Sequence, residues 1–149
     1  MSDEGALIAA VGEAMYARDH AAQALGIQLD EIGRGTARMS MTVRQDMMNG
    51  HGTCHGGILF TLADTAFAYA CNSYNLATVA VHCTISFLSP GRLGDRLTAI
   101  ATETAVDGRD GVYDIAIKNE TDRTIATFRG VSRRLRDKVV DGPIIENGA

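Results

Sequence analysis

The stretch from Met47 to Gly91, MMNGHGTCHGGILFTLADTAFAYACNSYNLATVAVHCTISFLSPG, decides the fold. Its only Asp, Glu, Lys or Arg is Asp64, although the whole chain is 21% charged. From Gly56 to Cys71 the run is otherwise small or apolar nearly all round, the mark of a buried helix. A carboxylate in such a helix loses solvation worth several kcal/mol unless it is paired or its pKa moves. Asp64 is therefore either well satisfied or held there for chemistry.

Working outward, Val79, Val81, Cys83, Ile85 and Phe87 alternate with intervening residues over a long strand that the Ser89-Pro90-Gly91 turn ends. Upstream, the loop Gln45 to Cys54 leads into the buried helix. Before it, Ile27 and Leu29, a Gly33-Arg34-Gly35 turn, and Met39, Met41 and Val43 alternating with Arg38, Ser40 and Thr42 read as a hairpin with one wet face. Leu7, Ile8, Val11, Met15, Ala22 and Leu25 predict one amphipathic N-terminal helix of about five turns. Ser2 or Asp3 caps its start and Gly26 stops it. Beyond the long strand, Leu97, Ala99 and Ala101 open another, Val112 to Lys118 forms the next, and Thr124 to Leu135 the last, separated by turns at 106–111 and 119–123. The expectation is an α+β domain with five antiparallel strands and one central helix, a single domain over 1–136, and a mobile C-terminal tail over 137–149.

Composition narrows the class. A chain of 149 residues buries roughly 70% of its unfolded surface, so neither metal nor disulfide is needed for folding. Three cysteines, Cys54, Cys71 and Cys83, are odd in number, and the last two sit in apolar patterns, which points to a reducing, cytoplasmic compartment. The acidic opening MSDEG is no signal peptide, and polar residues interrupt every long uncharged run, so no targeting or membrane segment is expected. Net charge is −4 with no basic face, which argues against a nucleic-acid partner. A helix apolar all round is not covered by one face of a small sheet. Its far side must meet the N-terminal helix or another subunit.

The run NGHGTCHGGILFTLADTAFAYACNS, with the strand and SPG turn after it, resembles the hotdog-fold acyl-CoA thioesterases, and among them the bacterial phenylacetic acid degradation thioesterases. The similarity spans roughly Leu25 to Arg136 and rests on Asn, five residues, His-Gly-Gly, six residues, Asp. The resemblance implies a sheet wrapped around the central helix, assembly as a homodimer or a dimer-of-dimers homotetramer, and an acyl-CoA substrate with no cofactor. It places Asn49, His55, Gly56 and Asp64 on the functional positions. Many relatives carry a hydroxyl near Ala80, and its absence here removes one group that could position water.

The chemistry of these residues stands beside the resemblance. First-turn backbone N–H groups of a helix lack intrahelical acceptors and lie on a favourable dipole, so Gly56 and Gly57 suit a developing oxyanion. Asp64 can act as general base on water or as a nucleophile forming a mixed anhydride. A tight entry turn is the alternative reading of the glycines, and a bond to Thr61 or Thr65 of a partner helix the alternative reading of the acid, both ranked behind the catalytic one. Asn49 fits an Asx turn or a group orienting the carbonyl or water; His55 is read as shaping the site. His51, Cys54 and His55 have ligand chemistry but lack a fourth zinc ligand, so no metal is expected. His82 is a satisfied inner or interfacial histidine.

For the nucleotide of a CoA thioester, Arg129, Arg133 and Arg134 are the leading phosphate candidates, with Arg92, Arg96 and Arg136 behind them. The acyl pocket would draw on Leu59, Phe60, Phe67 and Met47 or Met48, which fits a phenylacetyl-type, hydroxyphenylacetyl-type or medium-chain acyl group. Gly56 and Asp64 are eight residues apart, about 12 Å along one helix axis. One chain therefore cannot bring both to one carbonyl, and an antiparallel partner helix would. A hotdog enoyl-CoA hydratase and a non-catalytic acyl-CoA-binding module are the alternative functions.

Overall fold

A computed structural model describes residues 2–146. Helix α1 (Asp3–Arg18) starts at Ser2, whose Oγ accepts from the Gly5 N–H at 3.0 Å. The single N-terminal helix expected from the sequence is in fact interrupted. Asp19 leaves helical geometry and caps a second short helix, α2 (His20–Ala24), accepting from the Ala22 N–H at 3.1 Å. Aspartate is a far better N-cap than helix-interior residue, because its short carboxylate competes with the backbone. Gly26, at φ +70°, ends this segment as expected.

Strands β1 (Gln28–Gly33) and β2 (Thr36–Thr42) form the hairpin; helix α3 (Gly56–Asn72) comes next, then β3 (Thr78–Phe87), β4 (Arg96–Asp107), β5 (Asp110–Lys118) and β6 (Thr124–Arg134). The sheet, antiparallel in the order β1-β2-β4-β5-β6-β3, thus has six strands rather than the five expected. The strands named one by one from the sequence, with both arms of the hairpin, already number six, so the expected total of five left one out. Gln28–Gly33 pairs with Ser40–Thr36 along its length, and Gly12 lets α1 lie against it, since a Cβ there would stand 2.8 Å from Leu29 Cδ2.

One face of the sheet wraps α3. Met39, Met41, Leu97, Ala99, Ile115, Ile117 and Phe128 meet Leu59, Leu62, Ala63, Ala66 and Phe67 in one core. The alanines let helix and sheet approach closely, and Gly130 goes further: a Cβ there would fall 2.6 Å from Phe67 Cε2. The rest of α3 is left partly uncovered. Gly57, Thr61, Asp64, Thr65 and Ala68 are half-buried or exposed, and their spacing puts them on one stripe of the helix.

Two polar clamps fix the chain after α3. Buried Asn72 accepts from the Thr78 N–H (2.9 Å) and donates to the Thr78 carbonyl (3.0 Å), setting where β3 begins. Asn75, at φ 62°, accepts from the Val140 N–H (2.9 Å) and donates to the Val140 and Pro143 carbonyls, both at 3.1 Å. Ile145 packs with Ile8 and Tyr74. The tail expected to be mobile is therefore held down as far as Ile145; residues 147–149 lie outside the described residues. The apolar period that sequence reading relies on is missing there because scattered hydrogen bonds and the single apolar contact of Ile145, not a packed face, do the anchoring.

Strand β3 pairs only with β6, so its outer edge is open, and Val79, Val81 and Phe87 on it are 44%, 48% and 55% exposed. Among the described residues no helix is long and apolar enough to cross a membrane.

Candidate active site

The loop before α3 is a small closed hairpin tied to the turn after β3. The Asn49 N–H donates to the Thr53 carbonyl and the His55 N–H to the Met47 carbonyl, both at 2.8 Å; the Cys54 N–H donates across to the Gly91 carbonyl at 2.8 Å. Gly91 permits that approach, since a Cβ there would stand 3.0 Å from Cys54 Cβ. The Asn49 side-chain oxygen organises the loop from within, accepting from the His51 N–H (3.0 Å), the Thr53 N–H (3.2 Å) and the Thr53 hydroxyl (3.2 Å). That is the Asx turn anticipated from the sequence. The Asn49 amide nitrogen makes no hydrogen bond among the described residues, and Asn49 lines the adjoining cavity.

His55 is the N-cap of α3. Its Nδ1 accepts from the Gly57 N–H at 3.0 Å, and its carbonyl accepts from Ile58 and Leu59. The Gly56 N–H is thereby left without an acceptor among the described residues, at the positive end of a 17-residue helix. Gly56 opens onto a cavity of about 390 Å³, lined also by Asn49, Thr53, Leu59, Phe87 and Pro90. No acid lines it.

Asp64 sits two turns along α3 on the uncovered stripe. Burial, and next the charge of Asp19, raises its carboxyl above the usual range. No hydrogen bond reaches it from the described residues. The hydroxyls of Thr61 and Thr65 are spent on their own helix, donating to the Gly57 carbonyl (2.9 Å) and the Thr61 carbonyl (2.6 Å). Within one chain, then, the acid is unpaired and half-buried, the state that general bases and nucleophiles use.

The remaining candidates divide. Leu59 lines the Gly56 cavity, whereas Phe67 lies in the core against Tyr113 and Phe128, and Phe60 packs edge-on against Phe128 with centroids 5.1 Å apart. Met47 is also buried. Arg129 forms a two-pronged ion pair with Asp114 (2.8 and 2.9 Å), and Arg133 pairs with Asp110 at 3.1 Å. Arg134 stacks over the Tyr74 ring, 4.9 Å from its centroid. Residues 133 and 134 lie opposite the start of β3, far from Phe87 at its end.

Sequence reading missed Arg123, whose Nε donates to the Ser89 hydroxyl at 3.0 Å on the rim of the cavity. It lies in a turn, without periodicity to mark it. Phe87 was read only as one tooth of a strand pattern. Cys54 is buried, and burial together with the nearby Asp95 pushes its thiol up to about 11, so it is no nucleophile at neutral pH. Among the described residues no three His, Cys, Asp or Glu side chains converge as a metal site. His82 is exposed on the open edge of β3.

Comparison with known proteins places this geometry. Residues 51–126 match the model of the thioesterase superfamily. The acyl-coenzyme A thioesterase PaaI of Escherichia coli is 55% identical over 122 residues, covering 82% of this chain and 87% of the relative. The solved structure of the E. coli PaaI protein from the phenylacetic acid degradation operon superposes with a TM-score of 0.88 at 50% identity, over 90% of this chain and 97% of that one. A variant of the phenylacetic acid degradation protein PaaI from Thermus thermophilus gives 0.74 at 35% identity, over 76% and 97%. With its sheet wrapped around α3 and the unpaired Gly56 N–H at the helix start, the chain belongs to the thioesterase superfamily, thioester hydrolases of the hotdog fold.

Proposed function

We propose that this chain hydrolyses acyl-coenzyme A thioesters to free acid and CoA, acting on phenylacetyl-type, hydroxyphenylacetyl-type or medium-chain acyl groups. The observation that carries the reading is the Gly56 N–H: unpartnered among the described residues, at a helix N-terminus, and facing a cavity with apolar walls. A thioester carbonyl accepting from it gains stabilisation as its oxygen becomes anionic, the largest single term in acyl transfer. Asn49 offers its amide N–H₂ on the same cavity. Arg123, bonded to Ser89 on the cavity rim, suits the phosphates of the nucleotide better than Arg129 and Arg133, whose guanidinium groups are already paired with carboxylates.

Asp64 supplies the attack, and it does so in the neighbouring subunit's site. Its own Gly56 is about 12 Å away along α3, and the cavity at Gly56 contains no acid. The uncovered stripe of α3 and the open, apolar edge of β3 are the surfaces a second copy would cover, since an exposed hydrophobic edge strand invites pairing. A two-fold axis setting the helices antiparallel brings each Gly56 beside the other chain's Asp64. The carboxylate then either takes a proton from water as it attacks or adds to the carbonyl itself, expelling CoA thiolate and forming an anhydride; label in Asp64 after single turnover in heavy-oxygen water identifies the second route, with water opening the anhydride at the Asp64 carbon. Pairing of such dimers into a tetramer, and a cytoplasmic location suited to three free thiols, complete the proposal.

The test is thiol release from a panel of acyl-CoAs by wild type and Asp64→Asn. Turnover by wild type, lost in the variant with binding retained, is the expected result. Wild-type-like turnover in the variant, or water addition to an enoyl-CoA without hydrolysis, would overturn it.

A further inference from the structure

We propose that Phe87 is a specificity-determining residue that selects acyl groups carrying an aromatic ring next to the thioester carbonyl. The proposal rests on the hydrolase reading above and goes beyond it. Phe87 is the last residue of β3, and alternation puts it on the same face as Cys83 and Ile85, toward α3. Its ring tip reaches the start of the helix. A Cβ built on Gly56 would stand 3.0 Å from Phe87 Cζ and 3.3 Å from Cε1. Glycine at residue 56 leaves room for the ring in this position and lets a substrate carbonyl approach the backbone.

The ring has little else to do. It is 55% exposed and stands outside the aromatic cluster of Phe60, Phe67, Tyr113 and Phe128. Packing within one chain does not account for a large half-exposed aromatic at this point, whereas contact with a substrate at Gly56 does. A carbonyl held by the Gly56 N–H places the first atoms of the acyl chain beside Phe87, between it and the Leu59 and Pro90 walls of the same cavity. An aryl group one methylene from the carbonyl meets the ring at the edge-to-face or offset distances that aromatic pairs favour, and an alkyl chain gains only ordinary contact.

The experiment compares phenylacetyl-CoA with octanoyl-CoA, which carry equal acyl carbon counts, in wild type, Phe87→Leu and Phe87→Tyr. The measured quantity is the ratio of the two kcat/KM values. In Phe87→Leu the ratio should move against phenylacetyl-CoA by about twofold to tenfold, the range for one aromatic pair, while Phe87→Tyr keeps it within about twofold. A structural role would lower both substrates together, so an unchanged ratio in Phe87→Leu overturns the proposal. Equal acceleration of both, as from removing an obstruction, overturns it as well. If wild type turns over neither thioester, the hydrolase reading fails, and the ratio of dissociation constants measured by calorimetry decides Phe87 on its own.

Discussion

Two inactive variants should restore each other when their subunits are mixed. Asp64→Asn removes the carboxylate proposed to drive the attack and keeps its shape, and loss of a general base costs about 10²- to 10⁴-fold. Gly56→Pro removes the N–H, and loss of one oxyanion donor costs about 10²- to 10³-fold in kcat. The proline should be tolerated. Residue 56 is the first of α3, where proline's fixed φ suits the helix and no intrahelical bond is lost. His55 before it already sits at φ −59°, ψ 135°, the extended geometry a following proline demands. The contact its Cβ would make is with the tip of the exposed Phe87 ring, which can swing aside. If both parents are unfolded together, refolded at equal concentration and assort at random, half the dimers are mixed, and in each mixed dimer one site carries both lesions and the other neither. About a quarter of wild-type activity should therefore return from parents each at or below about one per cent. Thiol release gives the rate and native mass spectrometry the proportion of mixed dimers. No recovery in a sample where mixed dimers are demonstrated would refute the shared site, because groups drawn from one chain leave every site with a lesion.

Four further outcomes are expected. Because burial and Asp19 raise Asp64 above the ordinary value of 3.8, its contribution to stability is full below that pH and is lost as pH rises through the raised folded value; Asp64→Asn should melt higher than wild type at neutral pH, and equal melting curves from acid to neutral would contradict the assignment. The acid limb of kcat/KM should accordingly lie above the usual carboxylate range and move down in Asp19→Asn, which retains a capping side chain. Gly130→Ala drives a methyl into the Phe67 ring, itself held by Tyr113 and Phe128, so chemical denaturation should show a loss of about 1–3 kcal/mol, and a neutral result would mean the ring can move. Asn75→Gly keeps the positive φ but drops three hydrogen bonds to residues 140 and 143, so trypsin should cut faster after Lys138; unchanged cleavage would mean that Ile145 alone holds the segment.

Most of the fold was legible because its determinants are periodic. The uninterrupted apolar run from Gly56 gave α3, and the alternation from Val79 to Phe87 gave β3 within a residue of its ends. The elements misread turn on single side chains: Asp19 breaking the first helix, Asn75 fastening the tail. At the site, Asn49, His55 and Gly56 could be placed because they fall together in a short loop-to-helix segment, and Asp64 because it is the lone charge in an apolar run. Phe60 and Phe67 could not be assigned between core and cavity, since an apolar helix presents aromatic residues on every side and only the packed sheet reveals which way each faces. The arginines are harder still. Their alternation along β6 gives the face but not the partner, and Asp110 and Asp114, which claim Arg133 and Arg129, lie on a neighbouring strand.

The way His55 caps α3 also fixes its tautomer. Nδ1 receives the Gly57 N–H, so the ring proton of the neutral imidazole must reside on Nε2. In that form the outward nitrogen is a donor with no lone pair to offer, and the residue cannot accept a proton from water through it. In the site proposed above, His55 therefore serves as an N–H donor at the mouth of the helix, alongside the backbone dipole of Gly56. The same hydrogen bond that closes the first turn of the helix thus restricts this histidine to donating.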